Sequence, residues 1–112
     1  MKLRAIIKRA DEAGGHVSYI SDTITNLQTQ VGGHIECVTF RNGLAPFVVI
    51  CDEEGALKDI PFNCTIDDGE RRVKFFGDII LLGVNGEEFA DLPAEITLPV
   101  FRSMVRSSRI ND

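Results

Sequence analysis

Two apolar runs, Phe47-Val48-Val49-Ile50-Cys51 and Ile79-Ile80-Leu81-Leu82, break the alternation of apolar and polar residues found elsewhere in the chain. A strand with one wet face alternates, whereas an unbroken run predicts a central strand covered on both faces. Around these two runs the weaker patterns organise themselves. Lys2 to Arg9 places Leu3, Ala5 and Ile7 on one face and mostly basic residues on the other. Asp11-Glu12-Ala13-Gly14-Gly15 supplies turn chemistry, and His16 to Ile20 returns as the second strand of a hairpin. Further strands are expected from Ile35 to Phe40 and within Val73 to Val84, where Gly77-Asp78 interrupts the run. Arg41-Asn42-Gly43, Asp52-Glu53-Glu54-Gly55 and Asp67-Asp68-Gly69 read as reversals.

Helical spacing occurs twice. Ile24, Leu27 and Val31 recur at i, i+3 and i+7, with Ser21 and Asp22 offering N-cap oxygens and Gly32-Gly33 closing the segment. About three turns cannot persist alone in water, so this stripe must dock on a sheet. Leu98, Phe101, Met104 and Val105 share a face of a second helix over about 97–108, with Pro99 in its first turn and Arg102, Arg106 and Arg109 toward its end. The expectation is one α+β domain spanning 1–112. Its five- or six-stranded mixed or antiparallel sheet carries a short helix after the N-terminal hairpin and a C-terminal helix. Val48, Ile50, Ile79, Leu81, Leu27 and Phe101 are expected to be buried together.

Composition narrows the class. A chain of 112 residues with 44% hydrophobic and 26% charged content fits a single packed domain. No apolar run approaches a membrane span, and the N-terminus lacks the apolar segment and cleavage site of a signal peptide, so a cytoplasmic protein is expected. Cys37, Cys51 and Cys64 are odd in number and lack Cys-x-x-Cys spacing, which predicts free thiols, with Cys37 and Cys51 shielded in strands. The net charge of −5 is uneven: residues 52 to 95 hold twelve acids and four bases, and the remainder five acids and eight bases. Blocks of opposite sign can polarise a surface and steer partners.

The sequence supplies no reaction. His16, His34 and the cysteines lack zinc-type spacing, so no metal is expected, and no cofactor motif is present. Asp52, Glu53 and Glu54 are contiguous, and adjacent side chains on a turn point apart, which favours a solvated turn over acid–base chemistry. Cys64 has no histidine nearby in sequence. Gly32-Gly33 follows a helix, where the dipole repels anions, so a C-cap is favoured over a phosphate loop. Overall acidity, the lack of Trp and a single Tyr disfavour nucleic acid. Asn63 carries two readings: its amide bonds the backbone of the Asp52–Gly55 turn, or it faces a ligand. Asn63, Arg102 and Arg106 are the candidate ligand or partner contacts.

The order of segments resembles a small domain family of unknown function found mainly in phages and other bacterial mobile elements. The resemblance covers about 16–92. It is carried by Val31-Gly32-Gly33 with Ile35-Glu36, the strand ending at Cys51, Glu53-Glu54-Gly55-x-Leu57, Pro61-x-Asn63, and Asp78-Ile79-Ile80 through Gly83 to Phe89. Such relatives usually carry Asn at the position of Asp52 and often a basic residue at that of Cys64. The resemblance implies an accessory protein of a mobile element in the cytoplasm of a bacterial host. Its expected role is non-catalytic binding of a host protein or defence component. The alternative is an oligomeric protein that sequesters a small-molecule signal, such as a nucleotide immune signal.

Overall fold

The computed structural model describes residues 1–41 and 45–106. The first hairpin pairs β1 (Lys2–Lys8) with β2 (His16–Ser21) without a break in register, from Lys2 opposite Ser21 to Ile7 opposite His16. Helix α1 (Ile24–Val31) follows, then β3 (Ile35–Phe40) and β4 (Phe47–Asp52). A small hairpin, β5 (Phe62–Asp67) and β6 (Arg72–Phe76), precedes β7 (Ile79–Asn85), β8 (Glu88–Ala90), helix α2 (Leu98–Met104) and the two-residue β9 (Val105–Arg106). The main sheet runs β2-β1-β7-β4-β3 with β8 beside the far end of β7; a second sheet runs β6-β5-β9. All of these pairings are antiparallel.

The unbroken runs form the two central strands, β4 and β7, and all of β4 and the Ile79–Gly83 part of β7 are buried on both faces. Their side chains divide by parity. Val48, Ile50, Ile80 and Leu82 join Leu27 and Val31 of α1 on one face. Val49, Ile79 and Leu81 join Cys64, Ile66 and Phe75 of the second sheet and Phe101 of α2 on the other. The six residues expected to share one core are all buried, but the sheet separates them into Leu27, Val48 and Ile50 on one side and Ile79, Leu81 and Phe101 on the other. A period of two makes this division unavoidable once both faces are covered.

Both helices begin on a threonine. Thr23, rather than Ser21 or Asp22, caps α1: its hydroxyl accepts from Asn26 N at 3.3 Å, while Ser21 Oγ instead accepts from Thr23 N. Ile24 is left about half exposed, so Leu27 and Val31 alone anchor the helix. Gly32 ends it at φ 88°, a left-handed conformation that costs glycine little, and donates to Gln28 O at 2.8 Å. Thr97 caps α2 with Pro99 in the first turn. That helix stops at Met104 instead of continuing to 108. Val105 turns extended because its backbone joins the open edge of β5, where Ile66 pairs with Val105 and Thr65 with Arg106. Arg109 and the Asn42-Gly43 part of the expected turn lie outside the described residues.

Ile50→Ala removes a fully buried side chain from a central strand. It should lower stability by about 2–5 kcal/mol, read as a drop in denaturation midpoint at unchanged m-value.

Candidate functional site

The β4–β5 connection, residues 53–61, leaves the main sheet just after Asp52, which organises it. Asp52 is 6% exposed; one carboxylate oxygen accepts from Glu54 N at 2.9 Å and the other from Lys58 Nζ at 2.8 Å. Burial works to raise the Asp52 pKa. The Lys58 ammonium and the Glu54 N–H outweigh it and hold the carboxyl below its ordinary value. Successive turns complete the loop: Gly55 N donates to Asp52 O, and Leu57 N and Lys58 N both donate to Glu54 O. Glu53 N reaches back to His34 O beside β3. Gly33 makes the ion pair sterically possible, since a Cβ there would lie 2.7 Å from Asp52 Oδ2 and 3.0 Å from Lys58 Nζ.

The braced loop presents an unusual tip. Leu57 is 87% exposed, with Glu53, Glu54 and Asp59 exposed around it. Behind the loop lies an open cleft of about 540 Å³. One wall is Lys58, Ile60 and Pro61; the others are the α1 terminus at Val31 and Gly32 and the Arg9–Asp78 pair. Arg9 Nη1 lies 3.3 Å from Asp78 Oδ2, and Ala10 N donates to Asp78 Oδ1 at 2.9 Å. Segments far apart in the chain, Val31-Gly32-Gly33, Asp52, Pro61 and Asp78, thus gather at one place. All but Asp52, where relatives usually carry Asn, belong to the pattern that carries the family resemblance.

Asn63 is buried behind this region, and its partners differ from the expected Asp52–Gly55 turn. Its Nδ2 donates to Lys8 O at 2.9 Å and to Gly77 O at 2.7 Å, and its Oδ1 accepts from Lys8 Nζ at 2.7 Å. A β-bulge explains the inward turn. Phe62 pairs with Phe76 and Cys64 with Phe75, leaving Asn63 as the extra residue. The amide's donors and its oxygen are engaged within the fold, which favours the structural reading of this residue. Lys8, expected among the outward basic residues of β1, is only 2% exposed because its ammonium ends on that amide.

Arg102 and Arg106 are not brought together with Asn63. Arg102 ties α2 to the β1–β2 turn, donating from Nε to Gly14 O at 3.0 Å and from Nη2 to Gly15 O at 3.3 Å. Arg106 Nη1 donates to Ser103 O and Val105 O at the end of α2. Leu57 and Lys58 are not among the contacts expected from the sequence; an apolar residue inside an acidic turn is the signal the chain offers for them. The three cysteines are free thiols. Burial, followed by the charge of Glu36, pushes Cys51 up to about 12, and burial pushes Cys64 up to about 11. Cys37, expected to be shielded, is exposed: β3 is an edge strand, and although Cys37 lies opposite Ile50 on the α1 side of the sheet, it is not among the residues packed in that core.

This arrangement of helix, twin sheets and braced loop has a family. The chain belongs to DUF3846, a domain of unknown function. The family model matches residues 1–104 and so includes β1 and α2, beyond the segments that carry the resemblance. No match was found among curated proteins or among solved structures. In this DUF3846 domain no helix among the described residues is long and apolar enough to cross a membrane.

Two expected outcomes follow from these contacts. Asn63→Ala leaves the Lys8 ammonium and two backbone carbonyls without their partner, and should cost on the order of 1–3 kcal/mol or more. A melting transition unchanged by the substitution would remove the structural role. For Asp52, the depressed folded-state pKa means that its stabilisation is fully present above its ordinary value of 3.8. It is lost as pH falls through the lower, folded value. Acid titration of Asp52→Asn should therefore show a shallower loss of stability below that pH than the parent protein.

Proposed function

We propose that this DUF3846 protein is a non-catalytic binding domain that docks a protein partner through the Asp52-braced loop. The observation that carries this reading is Leu57, a large aliphatic side chain held 87% exposed on a loop that internal hydrogen bonds have already ordered. Exposing such a side chain does nothing for the isolated fold, whereas a preordered loop loses little entropy when it enters a partner's pocket. Glu53, Glu54 and Asp59 set the partner's chemistry: an apolar socket for Leu57 with a cationic rim. Among phage and mobile-element proteins, the setting implied by the resemblance, that partner is a host protein or defence component met in the bacterial cytoplasm.

The cleft behind the loop supports a second reading, the capture of a small polar molecule such as a nucleotide immune signal. Its volume of about 540 Å³ suits a small ligand, and Arg9 and Lys58 could exchange their internal carboxylates for anionic groups. The two readings separate by mutation. Leu57→Asp should abolish co-purification of a specific bacterial protein while leaving the melting transition within about 0.5 kcal/mol of the parent, because the site is exposed. Purified partner should then bind the parent chain and not the variant in calorimetry. A small molecule that co-purifies equally with Leu57→Asp and is lost in Arg9→Ala would overturn the docking function in favour of the cleft.

A further inference from the structure

The two edges of the main sheet are finished differently. On β3, Arg71 Nη2 donates to Thr39 O at 2.8 Å while its guanidinium lies 4.9 Å from the centre of the Phe40 ring, so the strand's outer side is capped. Glu36 adds a charge to the same strand. On β2, His-Val-Ser-Tyr-Ile-Ser, there is no Asp, Glu, Lys, Arg or Pro, and its register against β1 contains no bulge. Charges, prolines and bulges are the usual devices that stop an edge strand from pairing with another chain. Along His16 to Ile20 the β2 edge has none of them; only at its end does a side chain reach the strand, Asn26 Nδ2 donating to Ser21 O at 2.7 Å. Its outer face also carries Val17, 37% exposed, and Tyr19, 61% exposed, two of the few large apolar residues left in water.

We propose that β2 is a self-association edge, on which a second copy of this chain pairs antiparallel about a two-fold axis at Ser18, joining the two main sheets into one. The strand's own order of side chains is what selects a second copy. A two-fold axis perpendicular to the sheet keeps corresponding faces together, so residues of equal parity lie opposite each other. With Ser18 opposite the second Ser18, Val17 faces Tyr19 on both sides of the axis, and His16 faces Ile20. The exposed apolar pair thereby covers its own image with an aromatic–β-branched cross-strand contact, a favourable combination. No like charges meet along the seam. The central position is filled by the smallest polar side chain of the strand, which can hydrogen-bond to its copy.

A seam of one short strand lies at the small end of specific interfaces, so the dimer should dissociate on dilution. It would carry two Leu57 loops on one rigid sheet. The β2 edge nevertheless stands independently of the docking reading, and each can fail without the other.

The test is sedimentation velocity of the full chain over a dilution series, with Val17→Lys/Tyr19→Lys, with Val17→Glu/Tyr19→Glu, and with their equimolar mixture. The parent should shift from monomer to dimer mass with increasing concentration. Each doubly charged variant should remain monomeric, because two pairs of like charges then face each other across the axis. The mixture should recover dimer mass, since lysines now face glutamates. Both positions are exposed, and circular-dichroism melting establishes that each variant is folded. A parent that stays monomeric throughout overturns the proposal and leaves the β2 edge to a strand of another protein. Variants that still dimerise, or a mixture that does not, overturn it as well by moving the interface away from β2.

Discussion

The buried hydrogen bond between Lys8 Nζ and Asn63 Oδ1, 2.7 Å long, joins the two sheets of this protein. Lys8 ends β1 of the main sheet, and Asn63 is the bulged residue of β5 in the smaller one. Withdrawing an ammonium from water is costly, and that cost is tolerable only where a fixed dipole replaces the lost solvent. The bulge aims the amide at Lys8, and the same amide binds Lys8 O and Gly77 O. It thereby fixes the end of β1 and the β6–β7 turn relative to β5 at a single point. Gly77 N in turn donates to Pro61 O, which anchors the far end of the 53–61 loop. The internal network and the exposed loop are thus mechanically continuous.

Asp52 plays the corresponding part at the loop's near end. It is the last residue of the central strand β4, so its position is set by the best-packed element of the fold. From there its carboxylate holds Glu54 N and Lys58 Nζ, and Gly33 leaves room for the pair. A rigid strand end, a buried carboxylate and a glycine together hold an acidic loop in one shape. The acidic block along residues 52 to 95 is therefore not a uniform acidic surface. One part of it, Asp52, is internal and structural, whereas Glu53, Glu54 and Asp59 surround Leu57 in solvent.

Elements with strong internal periodicity were legible from the chain alone. The unbroken runs at 47–51 and 79–82 specified two central strands because no one-sided burial satisfies them. Gly32 marked the end of α1, and Thr97 with Pro99 the start of α2, since local sterics and orphan N–H groups decide such points. The end of α2 was not legible. Val105 suits a helix or a strand, and an open edge on β5, distant in sequence, decided between them. Strand β5 alternates in sequence, Phe62, Cys64 and Ile66 against Asn63, Thr65 and Asp67, but its bulge at Asn63 could not be read from that pattern.

For the candidate site, the sequence by itself determined which residue types were present: an acidic turn after a buried strand, an isolated leucine within it, and an asparagine two residues beyond a proline. Those facts depend on local composition and patterning. Only the tertiary structure decided which of them would be buried, paired or presented. Asp52 and Lys58 lie six residues apart and form an ion pair only because Gly33, from another element, leaves the space. Lys8 and Asn63 are 55 residues apart, and no short-range pattern encodes their contact. Polar side chains bond whichever partner the packed backbone brings within about 3 Å. Their roles are therefore set by long-range packing, while apolar periodicity sets the strands and helices that do the packing.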